Sequence, residues 1–217
     1  GKVRYIGFSD TPAWKTAQAQ TLSKMRGWAP LIALQVEYSL LERTVEGELI
    51  PMAQEMGLGV TPWSPLKQGI LTGKYKREDA GKDAPGRGDW VTGFLNDKTY
   101  DLVDELNAIA KQLDSTAAGV ALAWLQSKPG VTSSIFGART IKQLDENIAA
   151  LELKLAPEHV LRLDELSKPK LNFPHDFIAN AGPFGYGGAT INGESFAPNP
   201  LAPAADAKRY EELLATV

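Results

Sequence analysis

The chain has 217 residues, 43% of them hydrophobic, with 23 basic and 26 acidic side chains and a formal charge of −3. That length supports one sizeable core or at most two small ones, and the charge gives none of the net basic field that non-specific nucleic-acid binding uses. There is no cysteine, so disulfides and Cys-ligated zinc are both excluded, and the two histidines, His159 and His175, lie far apart without a spacing that suggests a metal site.

In chain order, "VRYIGF" (3–8), "IALQVEY" (32–38), "GLGVTPW" (57–63) and "VTSSIFG" (131–137) are short, mostly apolar or β-prone runs. Each ends near glycine, serine or proline, as buried parallel strands do. Helical patterns separate them. Thr11 before Pro12 predicts an N-cap with proline at the first helical position and a helix to about Met25. Further helices are expected at 46–56, at 98–113 (Leu102, Leu106, Ile109 and Leu113 on one face), around Val120–Leu125, stopping before Pro129, and at 140–150 and 157–167. Strand alternating with helix is the α/β pattern. No apolar run approaches the roughly 18 residues of a membrane span, and no signal-peptide pattern leads the chain. The expectation is a cytoplasmic globular protein with no nucleic-acid or membrane partner.

Two stretches break the alternation. Residues 64–96 are rich in Gly, Pro, Lys and Asp and long for a connection, which predicts a functional lid or disorder. Residues 169–209 show little periodicity and read as an extended tail on a surface, or as disorder.

Three constellations carry chemistry. In "GARTIKQLDEN" (137–147), Thr140 and Gln143 match a capping box, a purely structural use. Arg139 is different, because a cation just before a helix N-terminus opposes the helix dipole. A shared anion bound by the free N–H groups and by Arg139 would account for it, with Glu146 and Asn147 two turns along facing a purine edge. In "TPWSPLKQGILTGKY" (61–75), Trp63 ends a strand, either as a core aromatic or as a stacking face for a flat ring. Ser64, the Gly69–Gly73 stretch and Lys74 add N–H groups and charge. In "GFSD" (7–10), Ser9 and Asp10, with Gln35 on the next strand, either fix an amide or cap the following helix.

Together, "RYIGFSD", "LQVEYSLL", "GVTPWSPLKQGILTGKY", "ALAWL", "KPGV" and "IFGARTIKQLDENIAAL" resemble the aldo-keto reductase family over nearly the whole chain, and the tail "YGGATINGE" is similar to bacterial members. The resemblance implies a TIM (β/α)8 barrel that binds NADP(H) at the C-terminal ends of its strands and reduces a small-molecule carbonyl substrate. It assigns Ser9, Asp10 and Gln35 to the nicotinamide carboxamide and Trp63 to the nicotinamide ring. Ser64, Leu66 and Lys74 would follow the pyrophosphate and sugar under the 64–96 lid. Gly137, Arg139 and Gln143 would hold the 2′-phosphate end, with Glu146 and Asn147 on the adenine. One departure stands out: the family more often has Asn where Asp10 stands, and an aspartate only accepts hydrogen bonds.

The resemblance also implies that this chain covers roughly strands 5 to 8, residues 1–168, followed by the tail 169–217. The family's catalytic Asp, Tyr, Lys and His come from the first half of the barrel, and no position here matches them. Tyr5, Tyr38, Tyr75 and the histidines lie in the wrong motifs. Two readings follow: an NADPH-dependent carbonyl reductase whose tetrad half lies outside this chain, or a non-catalytic NADP(H)-binding or sensing half-barrel. An open half-barrel would expose two strand edges, and inward apolar side chains such as Val36 and Ile135 would lose their opposite wall, inviting self-association.

Overall fold

The computed structural model describes residues 1–79 and 91–202. Contacts divide the chain into two compact units, Gly1–Pro169 and Lys170 onward.

The first unit is built on a parallel sheet in the order β1 (Ile6–Ser9), β2 (Leu31–Glu37), β3 (Gly59–Trp63). In β2–β3, Leu34 pairs with Val60 and Val36 with Pro62; Ala33 pairs with Gly59, Gln35 with Thr61 and Glu37 with Trp63. Paired residues of parallel strands point to the same side, so the first set and the second set define opposite faces. Leu34, Val36 and Val60 are at most 1% exposed under the helices. Val36 is therefore on the helix-packed face, and the expectation that it lacks an opposite wall is wrong. Ile135, at 43%, does stand exposed. Between β1 and β2 the sheet is tight: a Cβ on Gly7 would come 2.8 Å from the Ala33 carbonyl oxygen.

The expected fourth strand at 131–137 shortens to a single parallel bridge, Val60 to Val131. Val60 N–H donates to Gly130 O (3.0 Å), and Thr132 N–H to Val60 O (2.8 Å). The ladder then requires an N–H from residue 62, which is proline and has none. The next bond, Ile135 N–H to Pro62 O at 2.8 Å, advances three residues on one side against two on the other. That extra residue acts as a bulge and ends the pairing.

The α-helices of the unit among the described residues are α1 (Ala13–Arg26), α2 (Leu49–Met56), α3 (Asp97–Gln112), α4 (Ala117–Gln126), α5 (Ile141–Ala149) and α6 (Pro157–Leu166). The 46–56 helix begins later than expected, after a 3-10 turn at Thr44–Glu46. The N-cap of α1 is Pro12, not Thr11. The Thr11 hydroxyl donates back to Ser9 O (3.0 Å), which leaves the Pro12 carbonyl to accept from Lys15 and Thr16 N–H. Asn96 and Thr116 cap α3 and α4 through side-chain oxygens. Helix α4 is buried on nearly every side, from Ala117 to Leu125, as a helix that is apolar all round must be. Its Val120, Trp124 and Leu125 join Leu102, Leu106 and Ile109 of α3 and Leu163 of α6 in one core beneath the sheet.

A polar network crosses that helical layer. Arg43, 8% exposed, forks onto Glu46 (Nε–Oε1 2.7 Å, Nη2–Oε2 3.0 Å) and donates through Nη1 to Ser167 Oγ at 2.7 Å. Tyr38 OH donates to the same Glu46 at 2.8 Å, and Asp164 gathers Arg43, Lys128 and the Trp124 indole N–H.

Residues 169–209 read from the sequence as an extended tail or as disorder, and the second unit holds short regular elements there. Its described part, 170–202, contains α7 (His175–Asn180), α8 (Gly182–Tyr186) and a hairpin of β4 (Thr190–Ile191) and β5 (Glu194–Ser195). Tyr186 and Phe196 pack with ring centroids 5.3 Å apart.

Candidate functional site

At the C-terminal ends of the strands, the sheet face turned away from the helices carries a polar row. Ser9 pairs with Gln35 and Gln35 with Thr61; one step on, Glu37 pairs with Trp63. Asp10 leaves β1 with φ 47°, in the left-handed region, its N–H bonded to Gln35 O at 3.0 Å. That turn brings its carboxylate to the indole edge of Trp63, where Oδ1 accepts from Nε1 at 2.9 Å.

Beyond Trp63 the chain enters a turn with several non-glycine residues at positive φ: Ser64 (53°), Lys67 (44°) and Gln68 (50°). Such strain persists only where surroundings fix it, and here Lys67 does. It is 3% exposed, ion-paired to Glu37 at 2.7 Å, with its ammonium 4.3 Å from the Phe94 ring centroid. Gly69 follows at φ 89°, and a Cβ there would lie 2.8 Å from Lys74 Nζ. The missing side chain gives Lys74 its place. The expected lid 64–96 thus contains ordered 3-10 turns at Lys67–Thr72, Arg77–Asp79 and Thr92–Phe94; its residues 80–90 lie outside the described residues.

Across from this turn stand residues 135–139 and the N-terminus of α5. Thr140 Oγ1 accepts the Gln143 N–H at 3.2 Å, as a cap should. The capping box is not reciprocal, however: Gln143 Oε1 accepts the N–H of Arg139 (2.9 Å) rather than that of Thr140. The Arg139 guanidinium is exposed and has no carboxylate partner among the described residues.

Between the two walls lies a cleft of about 1090 Å³. Nine sequence-selected residues line it: Trp63, Ser64, Leu66 and Lys74 from one wall, Gly137, Arg139, Gln143, Glu146 and Asn147 from the other. Ser9, Asp10 and Gln35 do not line it; they sit at its Trp63 end, joined through Asp10. Sequence reasoning passed over Gln68, Thr72 and Thr116, which also line the cleft. Gln68 Oε1 is buried and accepts no hydrogen bond from any described residue. Its only sequence signal was its place before Gly69. Asn147, 7% exposed, is a buried polar residue on the lining.

The cleft has an aromatic face at one end, a lysine along its course and an arginine beside a helix N-terminus at the other. Such a surface suits an elongated anion with a flat ring at one end. Among the described residues no group of three His, Cys, Asp or Glu could hold a metal ion, and no helix is long and apolar enough to cross a membrane.

The sequence pattern of the Aldo/keto reductase family matches residues 1–168. This chain belongs to the aldo-keto reductase family. Among its relatives, it is 38% identical over 166 residues to the "Uncharacterized oxidoreductase YrpG" of Bacillus subtilis (strain 168), covering 76% of this chain and 49% of that protein. It is 31% identical over 182 residues to the "Probable aryl-alcohol dehydrogenase AAD4" of Saccharomyces cerevisiae, covering 83% and 55%. To the "Aryl-alcohol dehydrogenase GME11368" of Pestalotiopsis microspora it is 32% identical over 182 residues, covering 84% and 46%. The chain spans about half the length of the curated relatives it matches. Family and relatives alike are oxidoreductases, which makes carbonyl reduction the general chemistry of the group.

Proposed function

We propose that this chain is the cofactor-binding half of an NADP(H)-dependent carbonyl reductase, corresponding to strands 5 to 8 of a (β/α)8 barrel. The observation that carries the reading is the cleft itself, which joins Trp63 to Arg139 by way of Lys74. The residues present fit the dinucleotide. Two cations and the α5 N-terminus suit its phosphates, the buried Gln68 Oε1 and buried Asn147 offer polar groups, and a Cβ at Gly137 would meet only open space.

In this reading a reduced nicotinamide supplies the hydride. Trp63 provides the face on which the ring stacks, and Ser9, Asp10 and Gln35 orient its carboxamide. Ser64, Leu66 and Lys74 line the pyrophosphate. Gly137, Arg139 and Gln143 take the 2′-phosphate, and Glu146 and Asn147 take the adenine. Reduction of a carbonyl also needs a proton donor to the developing alkoxide. Among the described residues no tyrosine or histidine lines the cleft. Tyr38 is buried with its hydroxyl on Glu46, and burial, then the Glu46 carboxylate, push its phenol up. We therefore assign the acid to the barrel half that this chain does not contain. Aryl alcohols appear in the names of two of the relatives, so these alcohols and the aldehydes that their oxidation would give are the first substrate class to assay, in a cytoplasmic setting.

That no tyrosine or histidine among the described residues lines the cleft favours a second reading, an NADP(H)-binding or sensing half-barrel without catalysis. One experiment separates the two: titrate the purified chain with NADPH, then assay turnover of an aromatic aldehyde with and without a polypeptide supplying the tetrad half. Binding with turnover only in the paired sample supports the reductase reading. Binding without turnover in either supports the sensor, and no binding refutes both.

A further inference from the structure

Asp10 makes a contact that a carboxamide-orienting role does not require. Its Oδ1 accepts the indole N–H of Trp63 at 2.9 Å, and that indole lines the cleft. The indole nitrogen is a donor only and a carboxylate an acceptor only, so the direction of the bond is fixed. Asp10 is itself held. Its backbone sits at φ 47° and its N–H is bonded to Gln35 O at 3.0 Å. The preceding carbonyl, Ser9 O, accepts from the Thr11 hydroxyl at 3.0 Å. Two strand ends, β1 and β3, are thus tied through one carboxylate, and the plane of the Trp63 ring is set by it.

An asparagine could accept the same hydrogen bond through its side-chain oxygen. What aspartate adds is charge. We infer that Asp10 makes the site selective between the two redox forms of its ligand: its carboxylate fixes the Trp63 ring and favours a cationic, oxidised nicotinamide over the neutral, reduced one. The inference rests on the cofactor reading above. A ring stacked on Trp63 lies within a few ångströms of the indole edge, and so near the carboxylate. The phosphates and sugars are common to both redox forms, so their interactions cancel in the comparison, and the formal charge of the ring does not. Asp10 is exposed in the protein as it stands, so solvent and salt screen part of the attraction. Near the surface a close pair of unit charges still interacts well above thermal energy.

The functional consequence follows from linkage. Tighter holding of the oxidised form lowers the potential of the bound couple, by about 30 mV for each factor of ten in relative affinity for a two-electron couple. Asp10 therefore makes the bound reduced cofactor a better hydride donor and slows release of the oxidised one.

The test is equilibrium titration of NADP+ and of NADPH, separately, into the wild-type protein, Asp10→Asn and Asp10→Ala. Asp10→Asn keeps an acceptor for the indole and removes the charge. The ratio of the NADP+ to the NADPH dissociation constant should rise about three- to tenfold, chiefly through weaker NADP+, and the rise should shrink as salt is added. Asp10→Ala removes both functions and should show the same change in ratio with weaker binding of both forms. A wild-type protein that binds both forms with a ratio unchanged in Asp10→Asn overturns this inference alone. A wild-type protein that binds neither overturns the cofactor reading with it.

Discussion

The side-chain oxygen of Gln143 accepts the backbone N–H of Arg139 at 2.9 Å, so a residue in the first turn of α5 fixes the backbone of the cation that precedes it. Thr140 closes the same turn from the other side through the Gln143 N–H. The two bonds have different jobs, and mutation separates them. Thr140→Ala should cost about 0.5–2 kcal/mol of stability, the usual worth of an N-cap, measured by urea unfolding. Gln143→Ala should cost less stability and weaken NADPH, because Arg139 loses its anchor. Equal effects of the two changes on stability and on binding would contradict this division.

Lys67 and Glu37 offer a test of what holds the strained turn beneath the cleft. The ammonium is almost fully buried and its partner, 2.7 Å away, is mostly so. Removing one member of a buried pair strands the other, at about 3–5 kcal/mol. Glu37→Met and Lys67→Met should therefore each destabilise strongly, whereas the two combined should recover much of the loss. Denaturant midpoints for the single and double variants check this; additive losses would show that the pair is not coupled.

Tyr38 gives the protein an alkaline limit. Burial and the neighbouring Glu46 raise its folded pKa above the ordinary tyrosine value near 10. The folded state thus keeps a proton that the unfolded state releases above about pH 10, and stability falls as pH rises past that point. Tyr38→Phe should lose about 1.5–3 kcal/mol at neutral pH with its hydrogen bond to a charged partner, and should flatten the decline above pH 10. Thermal unfolding between pH 7 and 11 reads both. A slope unchanged by the substitution would remove Tyr38 as its cause.

The outer edge of β1 pairs with no strand among the described residues. Val3 and Tyr5, each 71% exposed, precede it, and Ile6, at 45%, lies on it. Open edges bordered by apolar side chains recruit other chains. The 217-residue chain on its own should self-associate, and Ile6→Lys should reduce that association by placing a charge on the edge. Sedimentation velocity is the measurement; a wild-type monomer at tens of micromolar would contradict it.

Much of this was legible in the chain. The three strands and six helices of the first unit among the described residues follow from apolar periodicity, cap residues and glycine positions, whereas the family resemblance is what groups the residues of the two cleft walls into one site. What escaped has physical reasons. Pro62 breaks the ladder to residues 131–137 from the partner strand, and a run read by itself does not carry its neighbour's missing N–H. The Arg43–Glu46–Asp164 network joins residues more than a hundred positions apart, beyond any local pattern. Lys67 is paired by Glu37 of β2, 30 positions earlier, a partner that no local pattern names. Ser9, Asp10 and Gln35 read as groups that fix an amide or cap a helix, and neither reading carries the bond that the Asp10 carboxylate accepts from Trp63, 53 residues away.

The most direct measurement is titration of NADPH and NADH into the wild-type protein and Arg139→Ala, followed by fluorescence. The account predicts that wild type favours NADPH, and that the substitution weakens NADPH by about 1.5–3 kcal/mol, the worth of a charge-assisted hydrogen bond, with NADH nearly unchanged. Equal losses for both cofactors, or no preference in the wild type, would contradict the assignment of Arg139 to the 2′-phosphate and with it the cleft as an NADP(H) site.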